Sequence, residues 1–462
     1  MVFWTKENIS RALPDAKFYN FPDSFFSNGV RVTHLDFERG NMALVRKSDE
    51  KVGIAESFLD SLTDQVSAII CSDYEYFSNY NLPVIEVNAP YDSVIKMAEF
   101  IRKQYNGKVI DITGSSGKTT ATKMCYDVLS HYGASANLNQ ANTNFGLAWN
   151  MTLYDVNMPY WVNETSLGGG MDLNSALTIP DIAVVTNIAP VHLKPNQPLI
   201  NVAVQKSKIF SSMKPGSLAF LYKEMEYYDV VERAAKKKNL RIITFGESED
   251  SDIRVLIGSR NSLNIFGRLY AFNDSPTPRH ILLDAAIVAG IVYSLGLSIE
   301  EAIEKLREFN AIVGRGQVTE GNIDSAHKIT MVDESFNANP LSMKFSLEGF
   351  NRLYGSKENK LLILGDMAEG GPETLKQHLY LFKYIEEIKP SRVLLCGEQM
   401  ANLWDLVNNA YDGAYYRSVN ELLPDVLNWI KNDDYIFIKA SHSIELFKVV
   451  IKLRDMIRNF NK

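Results

Sequence analysis

The stretch Val109–Thr120, VIDITGSSGKTT, limits the fold of this chain more than any other. Four residues suited to a buried strand, Val109–Ile112, run into Gly114, Ser115, Ser116, Gly117, Lys118, Thr119 and Thr120. A helical pattern follows as far as His131, with Gly133 placed to end it. A glycine-rich turn between strand and helix points backbone N–H groups at a phosphate, and the helix start adds its positive dipole end. Lys118 then reaches the β/γ-phosphates of a nucleotide and the Thr119 hydroxyl reaches Mg²⁺. Gly114 precedes Gly117 by three residues rather than five, so the loop is a shortened P-loop.

A P-loop needs a parallel sheet around it, and the rest of the chain supplies one. Tyr160–Asn163 and Ile182–Thr186 read as further buried strands, followed by Glu164 in one case and by Asn187–His192 in the other. Ligands of open α/β sheets gather at the carboxyl ends of strands, so Glu164 and His192 are expected to converge on the P-loop. A helix over Leu199–Met213 carries Lys206, Asp252–Phe272 alternates as hairpins do, and His280–Leu295 and Ile299–Phe309 are helical. Before this unit, short apolar segments (Met42–Val45, Ala68–Cys71, Val84–Val87) alternate with helical ones. After it, from Gly314-Arg315 onward, strand-then-helix repeats at Ile329–Asp333, Leu361–Leu364, Val393–Cys396 and Tyr435–Lys439. The expected architecture is α/β with three units: 1–104, 105–313 and 314–462. A length of 462 residues allows about three domains.

Composition removes several function classes. A net charge of −7 gives no electrostatic case for nucleic acid or an anionic membrane. Three widely spaced cysteines, without a C-x-x-C pair, argue against a disulfide framework or zinc cluster and fit a reducing cytosol. The N-terminus lacks a signal pattern, and no apolar run approaches the ~20 residues of a membrane span. The expectation is a cytoplasmic, monomeric protein acting on small molecules.

Taken singly, a Glu after a strand, a loop His and a helical Lys are ordinary surface groups. Their order makes them more. TGSSGKTT, NET with Glu164, VVTNIAPVH with His192 and VQKSKIF with Lys206 together resemble the Mur ligase family. VDESFNANPLSM (Val332–Met343) and LGDMAEGG (Leu364–Gly371) are most similar to the branch that attaches D-alanyl-D-alanine to UDP-N-acetylmuramoyl tripeptide. The resemblance covers residues 109 to about 378, with IFIKASHS as a fainter C-terminal echo.

The resemblance implies three domains: one for the acyl substrate, a central ATPase and a C-terminal Rossmann-like domain. It implies transfer of the ATP γ-phosphate to a carboxylate, then attack of an amine on the acyl phosphate to give an amide, ADP and phosphate. It makes Lys118 a phosphate ligand, gives Thr119 and Glu164 one Mg²⁺, and has His192 help hold a second. Lys206 matches a lysine that the family carbamylates, so that it lies near the metals as a carboxylate-like group. Arg315 would reach ATP phosphates from the third unit, with Asp333 and Glu334 near the nucleotide. Asn337, Asn339 and Ser342 would face the amine, and Asn142 and Gly146 the acyl substrate.

Departures bear on substrate. The His-Asn-x-x-Asn run that reads adenine in the family is here His280, Ile281, Leu282, Leu283, Asp284, so both Asn positions have changed. An ionised Asp284 accepts a hydrogen bond but cannot donate one as an amide does. Glu334 replaces a more usual Asp, and Ala440 and His442 stand where Gly and Arg are usual. The early Asp-Ser-Arg run of the uridine-binding branch is missing from VTHLDFERGNMALV (Val32–Val45). The expected function is a Mur-type amide ligase for a non-standard carboxylate. The alternatives are the peptidoglycan ligase itself and a nucleotide-binding regulator without catalysis.

Overall fold

The computed structural model describes residues 3–35, 37–139, 141–189, 198–258, 260–273, 277–368 and 373–460. Among them, three large sheets follow one another along the chain. The first crosses in the order Lys17–Tyr19, Val84–Glu86, Ala68–Cys71, Met42–Arg46, Val30–Arg31, parallel except at its Lys17–Tyr19 edge.

The second sheet carries the P-loop strand, Lys108–Thr113, between Tyr160–Glu164 and Ile182–Val185. These strands are parallel and buried, and the polar Asp111 and Asn163 that interrupt their apolar runs pair with each other at 2.8 Å. Leu218–Tyr222 and Arg241–Gly246 extend the sheet, and Ile253–Leu256, Asn261–Ile265 and Arg268–Asn273 add the antiparallel hairpins expected from their alternation. The P-loop helix is Lys118–Leu129, tightened by a 3₁₀ turn at Ser130–Tyr132 before Gly133 at φ 94°. Arg279–Ser294 packs across it, apolar on almost every face.

The third sheet runs Gln317–Asn322, Lys328–Glu334, Asp434–Lys439, Lys360–Gly365, Arg392–Cys396, Asp412–Tyr416. Its first strand is an antiparallel edge not expected from the sequence, because QVTEGN is polar and only half-buried. The C-terminal helix is Phe447–Phe460. His442–Ile444 is a 3₁₀ turn, and Glu445 at φ 61° breaks the run.

The first and second sheets share one core. Trp4, Ile9, Val94 and Met97 pack with Val109, Leu147, Trp149 and Trp161 in one buried cluster. Trp4 Nε1 donates to Thr152 O at 2.7 Å, and Val30 N donates to Thr152 Oγ1 at 2.9 Å. No helix among the described residues is long and apolar enough to cross a membrane.

Candidate active site

Strand register brings the first groups together. Glu164 pairs with Ile112 and Val185 with Thr113, so Glu164 and the Thr186-Asn187 pair flank Gly114 on either side. Gly114 (φ 155°) has no room for a side chain, since a Cβ would lie 1.8 Å from Thr186 Oγ1. The loop is held from the Thr186 side. Asn187 Oδ1 accepts from Ser116 N at 2.9 Å, Thr186 Oγ1 donates to Ser116 O at 2.5 Å, and Ser115 Oγ donates to Ala189 O at 3.0 Å. Gly117, at φ 82°, opens the helix in the left-handed conformation that glycine tolerates best.

Two lysines meet at one carbonyl. Lys118 Nζ donates to Gly114 O at 2.9 Å and Lys206 Nζ donates to the same oxygen at 2.8 Å. Burial lowers the pKa of both. For Lys206, pushed well below the usual lysine range, the Lys118 charge adds to burial and Glu164 opposes; for Lys118, Glu164 opposes and Arg315 adds. One oxygen does not neutralise two ammonium groups, so this corner has room for negative charge. Glu164 is almost fully buried, and its Oε1 accepts from Asn142 Nδ2 at 2.7 Å. Asn137 clamps the Glu164 backbone from both sides, donating to its O at 3.0 Å and accepting from its N at 2.7 Å.

The opposite wall comes from the third sheet. The two walls enclose a cavity of ≈ 250 Å³ lined by Ser115–Thr120, Asn142 and Glu164 on one side and by Arg315, Glu334, Asn337, Asn339, Ser342 and Lys439 on the other. Arg315 lies with its guanidinium carbon 4.1 Å from the Phe336 ring centroid. His280 Nε2 is 3.6 Å from Glu334 Oε1, and Lys439 Nζ is 3.5 Å from Glu334 Oε2 and donates to Asn337 O at 2.9 Å. Burial lowers the pKa of His280 and of Lys439 despite Glu334. Three buried atoms on this cavity lack a partner in the protein: His280 Nδ1, Asp284 Oδ2 and Arg315 Nε.

Two family models match in sequence, the Mur ligase middle domain over residues 112–269 and the Mur ligase glutamate ligase domain over 314–442. Together they take in more than half of the chain and both walls of the cavity. The chain belongs to the Mur ligase family. It is an ATP-dependent, ADP-forming ligase of the MurF-like kind. A UDP-N-acetylmuramoyl-tripeptide–D-alanyl-D-alanine ligase from Rickettsia prowazekii is 24% identical over 459 residues, covering 97% of this chain and 99% of the relative. In fold, a MurF structure from Acinetobacter baumannii matches with a TM-score of 0.80 at 19% identity, covering 98% of this chain and 99% of that one. MurF ligase from Thermotoga maritima in complex with ADP matches with a TM-score of 0.73 at 19% identity, covering 93% and 98%.

Within this Mur ligase, most of the sequence-derived groups meet at the cavity, and some occupy other places. Lys206 and Gly114 lie behind the lining, joined to Lys118 by the shared carbonyl. Asp333 is fully buried outside the cavity. Its Oδ2 accepts from Gly314 N at 2.9 Å and Arg454 Nη2 at 3.1 Å, and Ser335 Oγ donates to its Oδ1 at 2.6 Å, so Asp333 anchors the turn that carries Arg315. Asn339 and Ser342 line the cavity, yet their side chains cap the helix Pro340–Tyr354 reciprocally. Gly146 packs on Ala141, where a Cβ would meet backbone at 2.5 Å. His192 lies outside the described residues. Sequence reasoning passed over Lys439, whose signal was a lysine closing the otherwise apolar run IFI at a strand's carboxyl end. It also passed over the apolar wall of Tyr222, Phe245, Leu283, Ile287 and Phe345, contributed by separate elements with no common motif.

Among the described residues, no group of three or more His, Cys, Asp or Glu can hold a metal ion alone. Mg²⁺ binds through one or two carboxylates, substrate phosphates and water, and Thr119 with Glu164 fits that incomplete donor set.

Proposed function

We propose that this ligase joins a small-molecule carboxylate to the amine of an amino acid or peptide, by way of an acyl phosphate, at the cleft between the second and third sheets. The convergence of Lys118 and Lys206 on Gly114 O, with Glu164 beside them and Arg315 facing them, carries the reading. Lys118 and the P-loop N–H groups hold the phosphates, and Arg315 closes on them from the other wall. Thr119 and Glu164 would hold Mg²⁺, with His192 at a second ion; the metal supplies charge neutralisation during phosphoryl transfer. Asn142 fixes Glu164 and faces the acyl substrate. Glu334 is placed near the nucleotide, and Asn337 faces the amine. The units proposed for these roles are 1–104 for the acyl substrate, 105–313 for ATP and 314–462 for the amine. The enzyme works as a monomer in the cytoplasm.

Lys206 acts as a carbamate. Burial and the Lys118 charge push its amine well below the usual lysine range, which favours the neutral form whose lone pair attacks CO₂, a proton leaving as the N–C bond forms. The product turns a surplus cation into an oxygen donor beside Glu164. Because acid reprotonates the amine, activity should fall as pH drops, and CO₂ depletion should deepen the loss. Lys206→Ala should lose activity that a small carboxylic acid partly restores; full activity without rescue would end the carbamate role.

Two readings of the acyl substrate each have an observation behind them. The missing Asp-Ser-Arg run favours a carboxylate other than UDP-N-acetylmuramoyl tripeptide. The end-to-end match to the Rickettsia relative favours that peptidoglycan precursor, with D-alanyl-D-alanine as the amine. ADP release with product mass, on this pair and on a panel of other acids and amines, separates them. Amide from the peptidoglycan pair identifies the cell-wall reaction, and ADP only with another pair identifies the variant. No ADP under any condition would leave the silent nucleotide-binding reading.

A further inference from the structure

Arg315 is held in the cavity wall by a ring and not by a carboxylate. Its guanidinium carbon lies 4.1 Å from the Phe336 ring centroid, and its Nε is buried without a partner in the protein. Among the described residues no ion pair holds the guanidinium, although Glu164, Glu334 and Asp284 face it. The backbone beneath is fixed. Arg315 N donates to Ile312 O at 2.8 Å, Gly316 N to Asp333 O at 2.8 Å and Phe336 N to Gly314 O at 3.1 Å. Gly314, at φ 78°, lies so close to Phe336 that a Cβ there would stand 2.8 Å from the Phe336 Cβ.

Phe336 does not belong to a core. It is half-buried, and among the described residues the hydrophobic clusters of the third sheet leave it out. Its place is on the cavity. A second ring meets it there. His442, which stands where Arg is usual, lies 5.6 Å from Phe336 between ring centroids and itself stacks on Phe447 at 5.1 Å and 16°. A carboxylate partner would take up N–H groups in the guanidinium plane and cancel the charge. An aromatic ring attracts the cation through its face and leaves the in-plane N–H edge for a phosphate. Without such a support, a long Arg side chain gives up its rotamer freedom only when a ligand orders it.

We propose that Phe336 is a positioning residue for Arg315: its ring, backed by His442, holds the guanidinium by the face and leaves the N–H edge to the phosphates of ATP. Arg315 is then ordered before nucleotide arrives, and binding does not bear that cost. This inference rests on the ATP-ligase reading of the cavity, in which Arg315 meets phosphate.

Equilibrium binding of the non-hydrolysable ATP analogue AMP-PNP to the full chain with Mg²⁺ tests it, with thermal melting of every variant in parallel. Arg315→Ala should weaken binding, and Phe336→Leu should weaken it by about 10-fold, within the range of a desolvated cation–ring contact. Phe336→Tyr, which keeps a ring, should bind like wild type. His442→Ala, at an exposed position, should lose a few-fold in the same direction and melt as wild type does. The deciding variant is the double one. Added to Arg315→Ala, Phe336→Leu should change nothing further, whereas a Phe336 that only supports the fold would add its full loss. Wild-type affinity in Arg315→Ala, Phe336→Leu or His442→Ala, an equal loss in Phe336→Tyr, or full additivity in the double variant would each overturn the positioning role. Wild-type binding would still keep the ATP-ligase reading. If wild type itself binds no AMP-PNP, that reading falls and the inference with it.

Discussion

The two junctions in this molecule are built from opposite materials. Between the first and second sheets the contact is a continuous apolar core. Trp4 is 1% exposed, the rings of Tyr105 and Trp161 stack at 3.7 Å, and Trp4 Nε1 is paired with Thr152 O. Between the second and third sheets lie a cavity, several buried ionisable groups and three polar atoms without partners. Separating the first junction would expose apolar surface at about 25 cal/mol per Å². Opening the second lets water reach groups that burial leaves unsatisfied. The first junction is therefore held together by its own packing, and the second leaves buried groups whose partners a ligand can supply. An acyl phosphate hydrolyses if water reaches it, so a cleft that closes around its ligand serves the chemistry as well.

The largest effect should come from removing charge at the second junction. Lys118→Ala and Arg315→Ala should each lower ADP release by about 10³-fold, the scale of a cation on a transferring phosphoryl group. Thermal melting should stay close to wild type, because neither side chain packs in a core. Near-normal turnover in Arg315→Ala would mean that the third sheet does not complete the site. It would reduce the contrast between the junctions to one of packing alone.

The converse change sits at the first junction. Trp4→Ala should cost about 3–5 kcal/mol of stability, read by denaturant unfolding, through lost burial and an unfilled cavity. The variant that stays folded should bind ADP like wild type, since the P-loop is held by Thr186, Asn187 and Ala189 rather than by Trp4. A coupled loss of nucleotide affinity would show that the shared core reaches the cleft.

The same contrast decides what the sequence made legible. The P-loop and Glu164 were readable because each lies at the carboxyl end of a largely apolar strand, and parallel pairing brings such ends together. The shared core was not readable. Trp4, Leu147 and Trp161 are far apart in the chain, and nothing local marks that they meet. Asn339 and Ser342 were read as facing substrate, although N-P-x-S is equally a helix-capping signature, and capping is what their side chains do here. Lys439 was not singled out, because its buried partners, Glu334 and Asn337, come from over a hundred residues earlier.

A smaller effect would sharpen the picture of the third-sheet wall. Ser441, two residues past the strand Asp434–Lys439, joins the loops that follow its two neighbouring strands. Its Oγ donates to Ala338 O at 3.1 Å and accepts from Ala368 N at 2.5 Å, while its N donates to Asp366 O at 2.9 Å. Ser441 thus sets the spacing between the segment bearing Asn337 and the one bearing Asp366 without touching the cavity. Ser441→Ala would leave a buried N–H and a buried carbonyl unsatisfied, at about 1–3 kcal/mol, and let the loops part. If these loops shape the amine side of the cleft, KM for the amine should rise by about 10-fold, the rate equivalent of 1.4 kcal/mol, while ADP affinity stays unchanged. Ser441→Thr, which keeps the hydroxyl, should recover most of the loss. A loss shared equally by amine and nucleotide would instead make Ser441 a general support of the third sheet, and the division of the cleft into a nucleotide wall and an amine wall would not hold.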